Sequence, residues 1–441
     1  MQGILKGVRP HKKNGGARSQ QAWVVAVSMG YGHQRTAYPL RDIAAGGAVL
    51  YANDYRTIPP EDRERWERGR KFYETISRLE RIPFLGKLIF GIFDLFQRVS
   101  AFYPKRIETR PTLQLRQTLG MIRKGWGLHF VDMLTKNPLP IVTTFFTPAH
   151  MAEHFRYPGA VWCVICDADI SRAWAPADPG ASRIRYCAPN QHVAERLMRY
   201  GVPGDHITVT GYPLPRENLG SERYDIARHD LAQRILHLDP ERIYRKRYAE
   251  LIAQYVGKLP RTSPRPTTLF FSVGGAGAQL DILTAAVTAL GEFITRGTLQ
   301  FVVAAGGRAE TLQTLQANIP PALYAKLRII TESDATTYFT KFNAALRTAD
   351  ILWTKPSELS FYAGLGIPII IAPPLGSHEE FNKDWLIKTG AGIPQENPAY
   401  TDEWLTDWLR EGLLAEAAVQ GFIEIEKGGT FAIEKLVRNG H

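Results

Sequence analysis

Cysteine is scarce in this chain: only Cys163, Cys166 and Cys187 occur in 441 residues. That argues against a disulfide-stapled secreted scaffold and for a reducing, cytosolic compartment. Cys163 and Cys166 form a C-x-x-C inside the apolar run 160–166, and no second Cys or His pair stands at zinc spacing. Buried thiols packed as small hydrophobes are the expectation. Zinc-finger spacing, an RNP-like motif and a basic-region helix are all missing, so nucleic acid is not an expected partner. No charge-free apolar run is long enough to span a bilayer; the richest candidate, 82–102, is broken by Lys87, Asp94 and Arg98. Low-complexity tracts are absent. The stretch 1–21 is basic and lacks an apolar signal core, which reads as a flexible tail.

What is present suits two ordinary cores: 44% of residues are hydrophobic and 22% charged, over a length that favours two or three domains. The net charge of +11 suits a polyanion or an anionic membrane surface. Placed on a helix, segment 82–102 puts Lys87, Gly91, Asp94 and Arg98 on one narrow polar stripe, with basic residues on both flanks. Two readings fit that pattern: a helix lying in a membrane interface, or a helix buried in the core.

From Trp23 onward, apolar runs alternate with amphipathic stretches, the pattern of parallel α/β units. Expected strands in the first half are Trp23–Val27, Ala48–Tyr51, Ile141–Thr144, Val161–Ile165, Arg185–Cys187 and Ile207–Thr210. A second series follows the break at 261–266: Thr268–Val273, Leu299–Ala304, Arg328–Thr331, Ile351–Trp353 and Ile367–Ala372. The implied domains are 22–215 and 266–415, with a helical connection over 216–265 and a C-terminal helix, 416–441, packing across both.

Each half opens on a strand, a glycine-rich turn and a helix. The first is Ser28-Met29-Gly30-Tyr31-Gly32-His33 before a helix-like stretch 34–45; the second is Ser272-Val273-Gly274-Gly275-Ala276-Gly277 before 278–294. Such a turn offers bare backbone N–H groups and a helix dipole to an anion. Its bland alternative is a tight corner that needs glycine only for backbone freedom.

The run Ser28 to Ala37 resembles the G-x-G-H opening of the monogalactosyldiacylglycerol synthases and of the peptidoglycan N-acetylglucosaminyltransferase that makes lipid II. Further similar pieces keep the same order: Asp167-Ala168-Asp169, the stretch 201–213, the second glycine loop, Thr354-Lys355-Pro356 and the region 364–382. The resemblance implies an α/β GT-B fold, two Rossmann-like domains whose parallel sheets face each other across a cleft. The N-terminal domain would take the acceptor and the C-terminal domain a nucleotide-sugar.

Glycosyl transfer needs a base for the acceptor hydroxyl and positive or dipolar groups for the departing diphosphate. His33, directly after the first turn, is the candidate base. Asp167 would support it, with Asp169 as a second carboxylate. Gly30, Gly32 and Arg35 are candidates on the acceptor side. Candidates on the donor side are Ser272, Gly274, Gly275, Ala276, Gly277, Lys355, Glu358, Ser360, Glu379 and Asn382. No metal or resident cofactor is expected, because a glycine loop at a helix start can hold the diphosphate.

One departure stands out. The glutamate that would grip the ribose in the family falls at Phe361 here, five residues before Gly366, and Glu358 is the acid one turn away. The expected activity is inverting transfer from a nucleotide-sugar, with UDP as the implied nucleotide. The expected acceptor is a lipid or lipid-diphosphate at the cytoplasmic membrane face. The alternatives are a non-catalytic nucleotide or glycolipid binder, a nucleotide-sugar epimerase or a glycerophosphotransferase.

Overall fold

The computed structural model describes residues 21–79, 99–274, 279–374 and 376–439. Two parallel sheets of six strands each form the frame. The first runs β1 (Trp23–Ala26), β2 (Leu50–Tyr51), β3 (Ile141–Thr143), β4 (Val161–Val164), β5 (Ile184–Ala188) and β6 (Ile207–Val209). The second runs β7 (Thr267–Ser272), β8 (Leu299–Gly306), β9 (Arg328–Thr331), β10 (Ile351–Thr354), β11 (Ile369–Ile371) and β12 (Gly392–Pro394). Central strands such as β3, β4 and β10 are buried at every residue, as expected when helices cover both faces of a parallel sheet.

Strand order places the sites. The first sheet reads β2-β1-β3-β4-β5-β6 and the second, reversed, β9-β8-β7-β10-β11-β12. The order therefore changes direction between β1 and β3 in one half and between β7 and β10 in the other. Ligands of open α/β sheets bind outside the carboxyl ends of the strands at such switch points. The two carboxyl edges face each other: Glu358, just past β10, meets Arg35, a few residues past β1. This is the two-domain α/β layout that the alternation of apolar runs implied.

Several boundaries differ from expectation. The helix after the first turn covers only Tyr31–Ala37, and Pro39 follows in a 3-10 turn, Tyr38–Ile43. The helical stretch after the second turn divides at Leu290 into Leu280–Ala289 and Gly291–Arg296. The short strand β12 was missed because Gly392-Ile393-Pro394 carries almost no strand signal. The C-terminal stretch is three helices: Thr401–Arg410, Leu413–Glu424 and Gly429–Asn439.

The last of these returns to the first half. Ile433 and Val437 join the cluster of Val24, Leu40, Val142 and Trp162 on one face of the first sheet. The crossing is tight: a Cβ on Gly429 would lie 2.4 Å from the carbonyl oxygen of Gly211. Thr430 Oγ1 adds a bond to the carbonyl of Leu214 at 2.6 Å. In the connection 216–265, the helix Asp225–Leu238 sits on the second half, where buried Arg234 donates to the carbonyls of Ala349, Leu365 and Gly366. Residues 1–20 and most of the stripe-bearing segment, 80–98, lie outside the described residues. Among the described residues, no helix is long and apolar enough to cross a membrane.

Candidate functional site

His33 sits in the first switch point. Its Nδ1 lies 2.8 Å from the carbonyl oxygen of Thr144, the residue after β3, and Thr144 Oγ1 donates back to the His33 carbonyl at 2.9 Å. A carbonyl only accepts, so Nδ1 carries the hydrogen and the neutral ring keeps its lone pair on Nε2. That is the tautomer a general base needs. The ring packs at 4.7 Å on Phe145 and at 6.5 Å on Trp174, which fixes its plane.

Cys166 and Asp167 follow β4 and reach the same place. Cys166 Sγ lies 3.4 Å from His33 Nδ1 and 3.7 Å from Asp167 Oδ2. All three cysteines are buried and free, as expected for small core residues. Burial pushes the Cys166 thiol well above its usual range, and the negative charges of Asp167 and Glu358 add to it. It stays a neutral thiol.

Across the interface stands the turn after β10. Glu358 Oε1 accepts from Arg35 Nε at 3.0 Å. The lack of a side chain at Gly32 matters here, because a Cβ there would lie 3.3 Å from Glu358 Oε2. Gly30 caps the short helix at φ 133°, a conformation that favours glycine. Lys355, directly after β10, is ion-paired with the buried carboxylate of Glu379. Ser272 closes β7 and Gly274 is half-buried beside it. Gly275, Ala276 and Gly277 lie outside the described residues. The helix beyond them starts at Gln279, whose side chain donates to the carbonyl of Pro373 at 3.1 Å.

Four candidates sit in surroundings that the sequence did not show. Arg35, placed with the acceptor, is only 2% exposed and lies in the interface, its guanidinium 4.1 Å from the ring centre of Phe342 and 4.9 Å from that of Phe339. Ser360 is fully buried, and its hydroxyl finds no hydrogen-bond partner among the described residues. Asn382 is also fully buried and bridges the halves: Oδ1 accepts from Ala168 N at 2.8 Å, and Nδ2 donates to Asp167 Oδ1 at 3.4 Å and to the Pro356 carbonyl at 3.3 Å. Asp169 is occupied by Arg196 and His192, each within 2.8 Å, and cannot serve His33. Desolvation opposes the Asp169 charge, but Arg196 and His192 outweigh it and hold the carboxyl below its ordinary value.

Phe361, at the position expected to carry a ribose-binding acid, stacks on Tyr212 at 4.8 Å with only 6° between the rings. It fills the interface core. Tyr31 was not singled out from the sequence, yet its hydroxyl accepts from Gly307 N at 3.1 Å and its ring stacks on Tyr338 at 4.9 Å. No local signal marks an aromatic that docks on a partner domain. A cavity of about 620 Å³ opens elsewhere in the first half, beside Arg123, His150 and Arg183, and none of the site residues lines it. Among the described residues, no group of His, Cys, Asp and Glu is placed to hold a metal ion.

No protein-family model matches the sequence, and no curated relative does. Among solved structures, the chain is similar to MurG from Acinetobacter baumannii, with 15% identity over 75% of this chain and 80% of that one, at a TM-score of 0.43. It is similar to MnaA of S. aureus, solved with UDP, at 14% identity, 73% and 80% coverage and a TM-score of 0.47. The glycosyltransferase SnogD from Streptomyces nogalater matches over 96% of this chain and 100% of its own, at 17% identity and a TM-score of 0.45. Likenesses at that level assign no activity to this chain. Its own two six-stranded parallel sheets, meeting carboxyl edge to carboxyl edge, are two Rossmann-like domains in the GT-B layout.

Proposed function

We propose that the chain transfers a sugar from a nucleoside-diphosphate donor to a hydroxyl-bearing acceptor. The observation that carries this reading is the pairing of unlike switch points: one holds an imidazole with Nδ1–H engaged, the other a lysine that follows β10 beside the carboxyl end of β7. In the reaction, His33 Nε2 takes the proton of the acceptor hydroxyl. The acceptor oxygen attacks the anomeric carbon, and the bond from that carbon to the diphosphate breaks. The diphosphate leaves with the bonding electrons, facing Lys355. Attack from the face opposite the leaving group inverts the anomeric centre.

The finer part of the proposal is a UDP-sugar donor, no metal, and a lipid or lipid-diphosphate acceptor at the cytoplasmic membrane face. It draws on the net charge of +11 and on exposed Tyr103 and Ile107 interleaved with Lys105, Arg106 and Arg110. Liposome flotation with anionic and neutral vesicles tests that part alone. For the chemistry, His33→Ala should abolish transfer while UDP still raises the melting temperature. Unchanged turnover in that variant removes His33 as the base.

A non-catalytic binder is the second reading, favoured by Phe361 and by Glu358 being engaged with Arg35. Absence of turnover with every nucleotide-sugar, alongside a clear thermal shift, would support it.

A further inference from the structure

We propose that Cys166 is a positioning residue for His33, joining the imidazole to Asp167 and through it to the second half of the molecule. This rests on the reading of His33 as the base. The contacts form one line: His33 Nδ1 to Cys166 Sγ at 3.4 Å, Sγ to Asp167 Oδ2 at 3.7 Å, and Asp167 Oδ1 to Asn382 Nδ2 at 3.4 Å.

The directions follow from the groups. Nδ1 carries its hydrogen because the Thr144 carbonyl can only accept, so sulfur accepts a second branch of that donor. The sulfur's own hydrogen then points to the carboxylate, which can only accept. Sulfur suits this place because its contacts are longer than those of a hydroxyl and its electron cloud is polarisable. A negative charge at the far end of the line stabilises the imidazolium that forms when His33 takes a proton. The amide of Asn382 orients that carboxylate from across the interface, so the base is fully set only with the halves together.

Arg35, on the same helix as His33, pairs with Glu358, whose charge also acts on Cys166, and the rings packed on His33, Phe145 and Trp174, carry no charge. Asp167 is the charge at the end of the hydrogen-bonded line. If Cys166 served only as a packed apolar residue, its removal would leave the basicity of His33 untouched.

The test is an NMR titration of the His33 ring in the full chain, assigned by its loss in His33→Gln. Asp167→Asn should lower the His33 midpoint by about half a unit to one unit. Cys166→Ala should lower it in the same direction, and the double variant should shift little further. Cys166→Val repeats the test with the buried volume kept, should alanine compromise the fold. Cys166→Ser should restore part of the shift. An unmoved midpoint in the alanine and valine variants, or additive shifts in the double variant, overturns the proposal. Because the titration needs no substrate, it stands apart from the transfer assay that decides whether His33 is the base.

Discussion

Arg35 Nε donates to Glu358 Oε1 at 3.0 Å across the domain interface, and their side chains are only 3% and 11% exposed. Phe339 and Phe342 face the guanidinium, so the pair is walled from water on the second half's side. Breaking such a pair leaves a buried charge without compensation. Arg35→Met and Glu358→Gln should each cost about 3 kcal/mol or more, and the double variant much less than their sum. Chemical denaturation of the three variants measures this. Strict additivity would mean that the two side chains do not stabilise one another.

Lys355 concerns the donor. Lys355→Met should weaken UDP binding by about tenfold, or roughly 1.4 kcal/mol, if the ammonium faces the diphosphate. Isothermal titration gives the answer, with the melting temperature as a control because Lys355 also pairs with Glu379. An unchanged Kd removes Lys355 from the donor side.

His150 gives the molecule a pH dependence unrelated to catalysis. Its Nε2 bonds the carbonyl of Ala173 at 3.0 Å, and burial, with a smaller push from Arg172, lowers its pKa from 6.5 to about 4. Above pH 6.5 the ring is neutral in both folded and unfolded chains and contributes no slope. As pH falls from 6.5 towards 4, the unfolded chain takes up a proton that the folded one refuses, so stability declines. The full loss is on the order of 3 kcal/mol at about 1.4 kcal/mol per unit. Urea midpoints of wild type and His150→Gln should converge over that window. Parallel curves would show that the ring titrates normally.

Gly429 is where the chain crosses back. A Cβ there would lie within 2.5 Å of backbone atoms of Gly211 and Tyr212, which are not free to yield. Gly429→Ala should lower stability by about 2 kcal/mol or more, whereas Gly46→Ser, at an open surface position, should cost less. Equal melting temperatures for the two variants would contradict the tight crossing.

The alternation of apolar runs made both sheets legible, and nearly every expected strand lies within two residues of its observed position. The first glycine turn put His33 just past a strand end, where it is found; of the second, Ser272 closes β7, and Gly275, Ala276 and Gly277 lie outside the described residues. What the sequence hid were relations between distant residues. Arg35 was singled out beside the first glycine loop and Asn382 through the family resemblance, and neither signal shows that their partners, Glu358 and Ala168, lie 323 and 214 residues away. Phe361 looked like a lost acid, although its place is the core beside Tyr212. Cys166 was read as a packed thiol; its contact with His33 joins the helix after β1 to the turn after β4, across β3, which no local pattern encodes.

The return of the final helix has a mechanical consequence. The chain passes between the halves twice, and the two passages lie side by side, with Pro213 and Gly428 forming an antiparallel bridge. Two adjacent tethers resist sliding and separation better than one. The two halves are thereby held together at a double seam, residues 211–216 beside 425–429, rather than by a single linker.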